Sequence, residues 1–195
     1  MTNFDPKRYG SLVEEILSEP RLMPLGPGEP NKPLRKLLET AAVESLLTTK
    51  KIHDSNMAAG CLAGLWLYHD FLDESHQISQ SIHTGEGSYW HGIMHRREPD
   101  FPNAKYWFHR VGQHPIFEPV RKAAIEEISG NVPQSAIFLK NQPAWDPSAF
   151  IDLCEGSGSG RSPCELLCRQ IQQREWEILF DFCYRHATGT GEEMA

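Results

Sequence analysis

The chain has 195 residues, 39% of them hydrophobic, 10% aromatic and 23% charged, values near globular averages that exclude a disordered, collagenous or coiled-coil protein. A formal net charge of −7 excludes nucleic-acid binding through a general basic field, and the one basic cluster, His95-Arg96-Arg97, suffices for a single anionic group. No run of about 20 apolar residues is present to span a bilayer.

This length predicts one domain. The start, MTNFDPKRYG, lacks the apolar stretch of a secretory signal, and the five cysteines are odd in number and scattered. Both features point to a cytoplasmic protein with reduced thiols.

In chain order, a first amphipathic helix is expected from Pro6 to Ser18, with Asp5 as N-cap and proline at the first helical position. The segment 19–33 holds five prolines and two glycines, too many for a regular element, and reads as a loop that wraps over the surface or covers an opening. A second helix follows over 34–48, and a third, long one from Asp54 or Ser55 to Ile82. A fourth spans Ser88 to Arg97, stopped by Glu98-Pro99 because the residue before proline is pushed out of the α region. Asn103 is expected to cap a fifth, and a sixth covers 118–129. Asp146-Pro147 opens another, and after the Gly/Ser loop at 155–162 a last helix over 163–187 docks back on the body. The best strand candidate, Ser135 to Leu139, is short. The fold class that follows is all-α, an irregular single-domain bundle of about seven to eight helices spanning 1–195.

Seven of the nine histidines fall between His69 and His114. On one continuous third helix, His69, Asp73, His76, Gln80 and His83 project within about 40° of one another at roughly 100° per residue. Traced backwards, that stripe meets Leu62 and Leu65, so the side that buries leucine later presents imidazole, carboxylate and amide. Such a face is either solvated or satisfied inside a polar cavity. It carries no Lys, Glu or Arg, and its residue types bind metals, shuttle protons and hydrogen-bond ligands.

His91, His95 and Glu98 share a face of the fourth helix at i, i+4 and i+7. His-x-x-x-His can bind a divalent metal with both rings, although no HExxH glutamate accompanies it. Gly92, between them, lacks a side chain and leaves room for a close approach. Tyr89, Trp90, Phe101, Tyr106, Trp107 and Phe108 frame these polar residues, as the wall of a small-molecule site or as plain core, with core the favoured reading for Trp107 and Phe108. Arg96, Arg97 and Arg110 are candidates for pairing a carboxylate or phosphate of a ligand, or for neutralising Asp70, Asp73, Glu98 or Asp100 within the protein. Cys164 and Cys168, at i, i+4, lack the partners that would complete a zinc set and read as core. The GSGSG run lacks the form of a phosphate loop.

The segment SYWHGIMHRREPDFPNAKYWFHRVGQHP (Ser88 to Pro115), with HDFLDESHQISQSI (His69 to Ile82), resembles a family of bacterial and fungal proteins. The resemblance covers about a quarter of the chain and implies no activity, cofactor or catalytic residue.

The function expected is a small-molecule site in a His/Asp/aromatic pocket, in which His69, Asp73, His76 and His83 face His91 and His95 across a cleft. His69, Asp73 and His76 are the candidates for Asp-His acid/base catalysis, and His83, Gln80, Tyr89, Trp90, Arg96, Arg97 and Arg110 for ligand binding. His91, His95 and Glu98 are the candidates for a divalent metal such as zinc, iron or manganese. The alternatives are a metabolite- or metal-binding protein without catalysis, and a structural or interaction protein whose histidines satisfy one another. The partner expected is a small-molecule ligand rather than nucleic acid or membrane, and a homo-oligomer is allowed.

Overall fold

A computed structural model describes residues 4–49, 51–158 and 162–191. It is helical throughout, with no strand among the described residues. After a 3-10 turn at Pro6–Tyr9 come α1 (Ser11–Ile16), α2 (Arg35–Thr40), α3 (Val43–Leu46), α4 (Ser55–Tyr68), α5 (Leu72–Ser79) and α6 (Gly85–Arg97). They are followed by α7 (Phe101–Val111), α8 (Phe117–Glu126), α9 (Phe138–Asn141), α10 (Pro147–Ser157) and α11 (Glu165–Thr188). Among the described residues these eleven exceed the expected seven to eight because the second and third expected helices are each split in two and a further short helix, α9, follows a 3-10 turn at Gln134–Ala136, the two together taking up the best strand candidate.

Side-chain caps set several starts. The Asp54 carboxylate accepts from the Asn56 and Met57 N–H groups ahead of α4, and Thr84 Oγ1 accepts from Gly87 N ahead of α6. Asp146 caps α10 with Pro147 at its first position, as expected. The cap of α7 is Asp100, whose Oδ1 accepts from Asn103 N, so Asn103 is a donor in the first turn rather than the cap. Helix α10 runs through Ser157, which shortens the expected Gly/Ser loop, and positions 159–161 of that loop lie outside the described residues.

The decisive departure is the corner between α4 and α5. Phe71 N bonds to Trp66 O and Asp70 N to Leu67 O, the pair that closes a helix on a left-handed residue. That residue is Asp70, at φ +63°. A non-glycine residue there costs about 1–2 kcal/mol, and the Asp70 carboxylate offsets it by pairing with buried Arg97 and with Arg21. Gly28 packs so closely on that carboxylate that a Cβ would sit 2.6 Å from Asp70 Cγ.

The proline-rich segment ahead of α2 is a pinned strap. Its carbonyls have few N–H partners of their own, so side chains supply them. Arg97 donates to Gly26 O at 2.8 Å and Pro27 O at 3.2 Å, Arg169 to Leu22 O and Met23 O, and Gln172 to Pro24 O.

At the centre lies α6, whose residues from Gly87 to Arg97 are all buried. Trp90 nests against Gly60 and Gly64 of α4, and Trp176 of α11 donates to Gly64 O at 2.8 Å. Arg96 pairs with Glu175 at 2.6 Å, and the Tyr89 hydroxyl donates to the other Glu175 oxygen at 3.0 Å. Fully buried charges persist only when paired and hydrogen-bonded in this way. Helix α11 docks along α4, α8 and α10.

Candidate metal centre

Three imidazoles converge where α5, α6 and α7 meet. His91 and His95 share a face of α6, and the turn after α5 brings His76 across to them. Ring centroids lie 4.6 Å apart for His76–His91, 4.7 Å for His91–His95 and 5.3 Å for His76–His95. One nitrogen from each ring lies within 4.8 Å of the other two. His91 and His95 are buried and His76 half-buried.

Helix α7 supplies the wall. Trp107 stacks on the His91 ring at 4.0 Å, and Asn103, one turn earlier, places its amide nitrogen 3.1 Å from His95 Nε2. α7 comes this close because residue 92 is glycine: a Cβ there would meet the Phe108 ring at 2.8 Å. The close approach anticipated at Gly92 is therefore made by an aromatic side chain of α7.

Behind His95, Glu98 Oε2 lies 3.0 Å from Nδ1. Taking the Nδ1 proton as the donor to this carboxylate leaves Nε2 with its lone pair, the tautomer a carboxylate behind an imidazole enforces. Glu98 is not among the converging donors and acts on His95 from the far side.

Burial favours the neutral form of the two α6 rings. Burial, reinforced by His95 and His76, pushes His91 down to about 3. Burial lowers His95 as well, opposed by Glu98. His91 Nδ1 is buried without a hydrogen-bond partner. The result is a cluster in which the two α6 imidazoles are held as neutral donors and one buried nitrogen is unsatisfied, which suits a borderline-soft cation.

The other anticipated residues lie elsewhere, and the cause is the corner at Asp70, which breaks the expected stripe. His69, on the far side of that corner, is fully buried against the strap, its Nε2 2.9 Å from Ile16 O and its Nδ1 3.3 Å from the Asn31 amide. Burial pushes it down to about 4. Asp73, Gln80 and His83 are exposed. Tyr89 and Trp90 are core, Arg96 and Arg97 are committed to Glu175 and Asp70, and exposed Arg110 lies over Tyr106 and Trp107. Sequence reading passed over Asn103, taken as a cap, and Trp107, taken as core; their i, i+4 spacing on α7 was the available signal.

Of the aromatic-walled pocket expected from sequence, the residues that converge are three imidazoles with Trp107 stacked on one of them. Hollows of about 390 and 370 Å³ open elsewhere, the first beside Ser135, Phe138 and Ser157, the second beside Arg8, Thr48 and Asp181. A three-imidazole site needs no such volume. Among the described residues no helix is long and apolar enough to cross a membrane. Compared with known protein families, with curated proteins and with solved structures, the chain shows no match.

Proposed function

We propose that His76, His91 and His95 bind a divalent transition metal, zinc before others, and present it to a small-molecule ligand. The observation that carries this reading is the convergence of one nitrogen from each of three imidazoles within 4.8 Å. Ligands at about 2.1 Å in a tetrahedron stand roughly 3.4 Å apart, so binding draws the rings together by about an ångström, and half-buried His76 is the one with room to move. Three imidazoles with no carboxylate favour zinc over manganese, which prefers oxygen, and over the two-histidine-one-carboxylate pattern of non-haem iron.

Three protein ligands are the donor count of catalytic rather than structural zinc, which when bound polarises a carbonyl or lowers the pKa of water to about 7. The chain's own contributions are positional. Glu98 holds the proton on His95 Nδ1, Trp107 fixes the plane of His91, and the Asn103 amide is the hydrogen-bonding group nearest His95 Nε2. A second reading, metal binding without catalysis, draws on the burial of His91 and His95, which leaves half-buried His76 as the ligand most open to solvent.

Metal analysis of protein purified without a histidine tag tests the proposal. About one zinc per chain is expected, with affinity falling at least about 100-fold in His76→Ala and His91→Ala. Wild-type protein that takes up no zinc, cobalt or iron after dialysis against each would overturn it. In the cobalt-loaded protein, a visible spectrum that shifts with azide supports an open coordination position, whereas an unresponsive spectrum favours the second reading.

A further inference from the structure

The smaller hollow, of about 370 Å³, lies where the 3-10 turn at Pro6–Tyr9, the segment after α3 and the last turns of α11 meet. Two arginines, one aspartate, four threonines and two tyrosines line it, with no wholly apolar side chain among the described residues. Its floor is fixed by Tyr184, whose buried hydroxyl accepts from Thr48 N at 3.1 Å and donates to Tyr9 O at 3.0 Å. Three segments far apart in the chain are thus joined without any ligand.

The charges in the hollow are unevenly matched. Both oxygens of Asp181 are engaged, Oδ1 by the Tyr9 hydroxyl at 2.9 Å and Oδ2 by Arg185 Nε at 2.8 Å. The carbonyls at the end of α11, which would repel an anion, are covered as well. Arg185 O accepts from Thr190 N at 2.8 Å, and Tyr184 O accepts from Thr188 Oγ1 at 2.9 Å. Among the described residues no carboxylate pairs with the Arg8 guanidinium, and neither Nη group of Arg185 is engaged. The lining therefore carries one uncompensated positive charge, on a chain whose formal net charge is −7.

We propose that this hollow binds a phosphorylated polyol, a ligand with the chemistry of a sugar phosphate. The phosphate accepts from Arg8 and from the Nη edge of Arg185, two guanidinium edges that offer more donors than the two oxygens of a carboxylate can use. The threonine hydroxyls, each able to donate and to accept, match the hydroxyls of the polyol. An acyl chain or a nucleobase would find no apolar platform, because the Tyr9 and Tyr184 rings are buried and packed edge to face on each other, centroids 5.0 Å apart. The volume lies near the lower end of the roughly 300–1,000 Å³ of small-molecule sites, which suits a compact ligand. The hollow shares no lining residue with the imidazole cluster, so this site stands whether or not a metal is bound there.

Calorimetric titration of glucose 6-phosphate into the folded chain tests the proposal, after treatment with a chelator so that phosphate cannot ligate a metal at the imidazoles. About one equivalent should bind with a Kd below roughly 1 mM, at least about 10-fold more tightly than inorganic phosphate or glucose. Arg8→Ala should weaken binding at least about 10-fold and leave the melting temperature unchanged, since that side chain is exposed. Wild-type protein that binds no glucose 6-phosphate, or an affinity unchanged in Arg8→Ala, would overturn it. So would equal affinity for inorganic phosphate, the mark of an adventitious anion only.

Discussion

His69 and His76 stand seven residues apart on what reads as one helical face, and the molecule gives them opposite conditions. Both ring nitrogens of His69 have partners, Ile16 O and the Asn31 amide, in the seam between α4 and the strap. His76 meets two other imidazoles, and the group has more nitrogen donors than partners for them. The same side chain is thus a strut on one side of Asp70 and a candidate ligand on the other. Satisfaction of the ring nitrogens, together with the deeper burial of His69, separates the two.

That contrast breaks most easily at the corner itself. Arg97→Ala leaves Asp70 as a buried carboxylate with only half-exposed Arg21 for a partner and releases the strap, and should cost about 3–5 kcal/mol in urea denaturation. Removing the strut comes next. His69→Ala should cost about 2–3 kcal/mol while leaving zinc affinity within about twofold of wild type.

The same variant carries a pH signature. His69 is pushed down to about 4 in the folded protein. Below its unfolded value near 6.5 the unfolded chain takes up a proton that the native state refuses, so stability falls as pH falls, until the native ring also protonates below about 4. Between pH 7 and pH 5 this one group removes roughly 2 kcal/mol. Thermal melts at the two pH values should therefore show His69→Ala losing about 2 kcal/mol less on acidification than wild type. An equal loss in both proteins would return the strut role to other groups.

Glu98→Gln sharpens the ligand side. It should weaken zinc binding about 10–100-fold, read by competition with a chromophoric chelator, because the amide no longer holds His95 in its ligating tautomer. Folding stability should change by less than about 1 kcal/mol, since the glutamate is exposed. The smallest effects belong to the exposed remainder of the stripe: Asp73→Asn and His83→Ala should alter stability by no more than about 0.5 kcal/mol and leave zinc affinity unchanged.

What could be read in advance was local. The caps at Asp5, Asp54 and Asp146, the stop before Pro99 and the paired histidines of α6 all follow from residues within a turn of one another. The corner at Asp70 was illegible because no glycine or proline marks it. A left-handed aspartate is held there by arginines 27 and 49 residues away. Arg96 was ambiguous for the same reason, its partner Glu175 lying 79 residues further on. Sequence periodicity therefore set His69, Asp73, His76 and His83 together against His91 and His95, whereas the fold brings only His76 of the four to them.

The missing methyl group at residue 92 has a consequence for how the site can change. Where α6 and α7 meet over Gly92, the Phe108 ring rests on main chain, and residue 92 offers no side chain of its own to absorb a shift. The distance at which Trp107 and Asn103 stand from the imidazoles is thus set by an aromatic ring seated on main chain. Variation that retunes this wall has to come from the α7 side chains themselves, because any enlargement at 92 moves the whole wall at once.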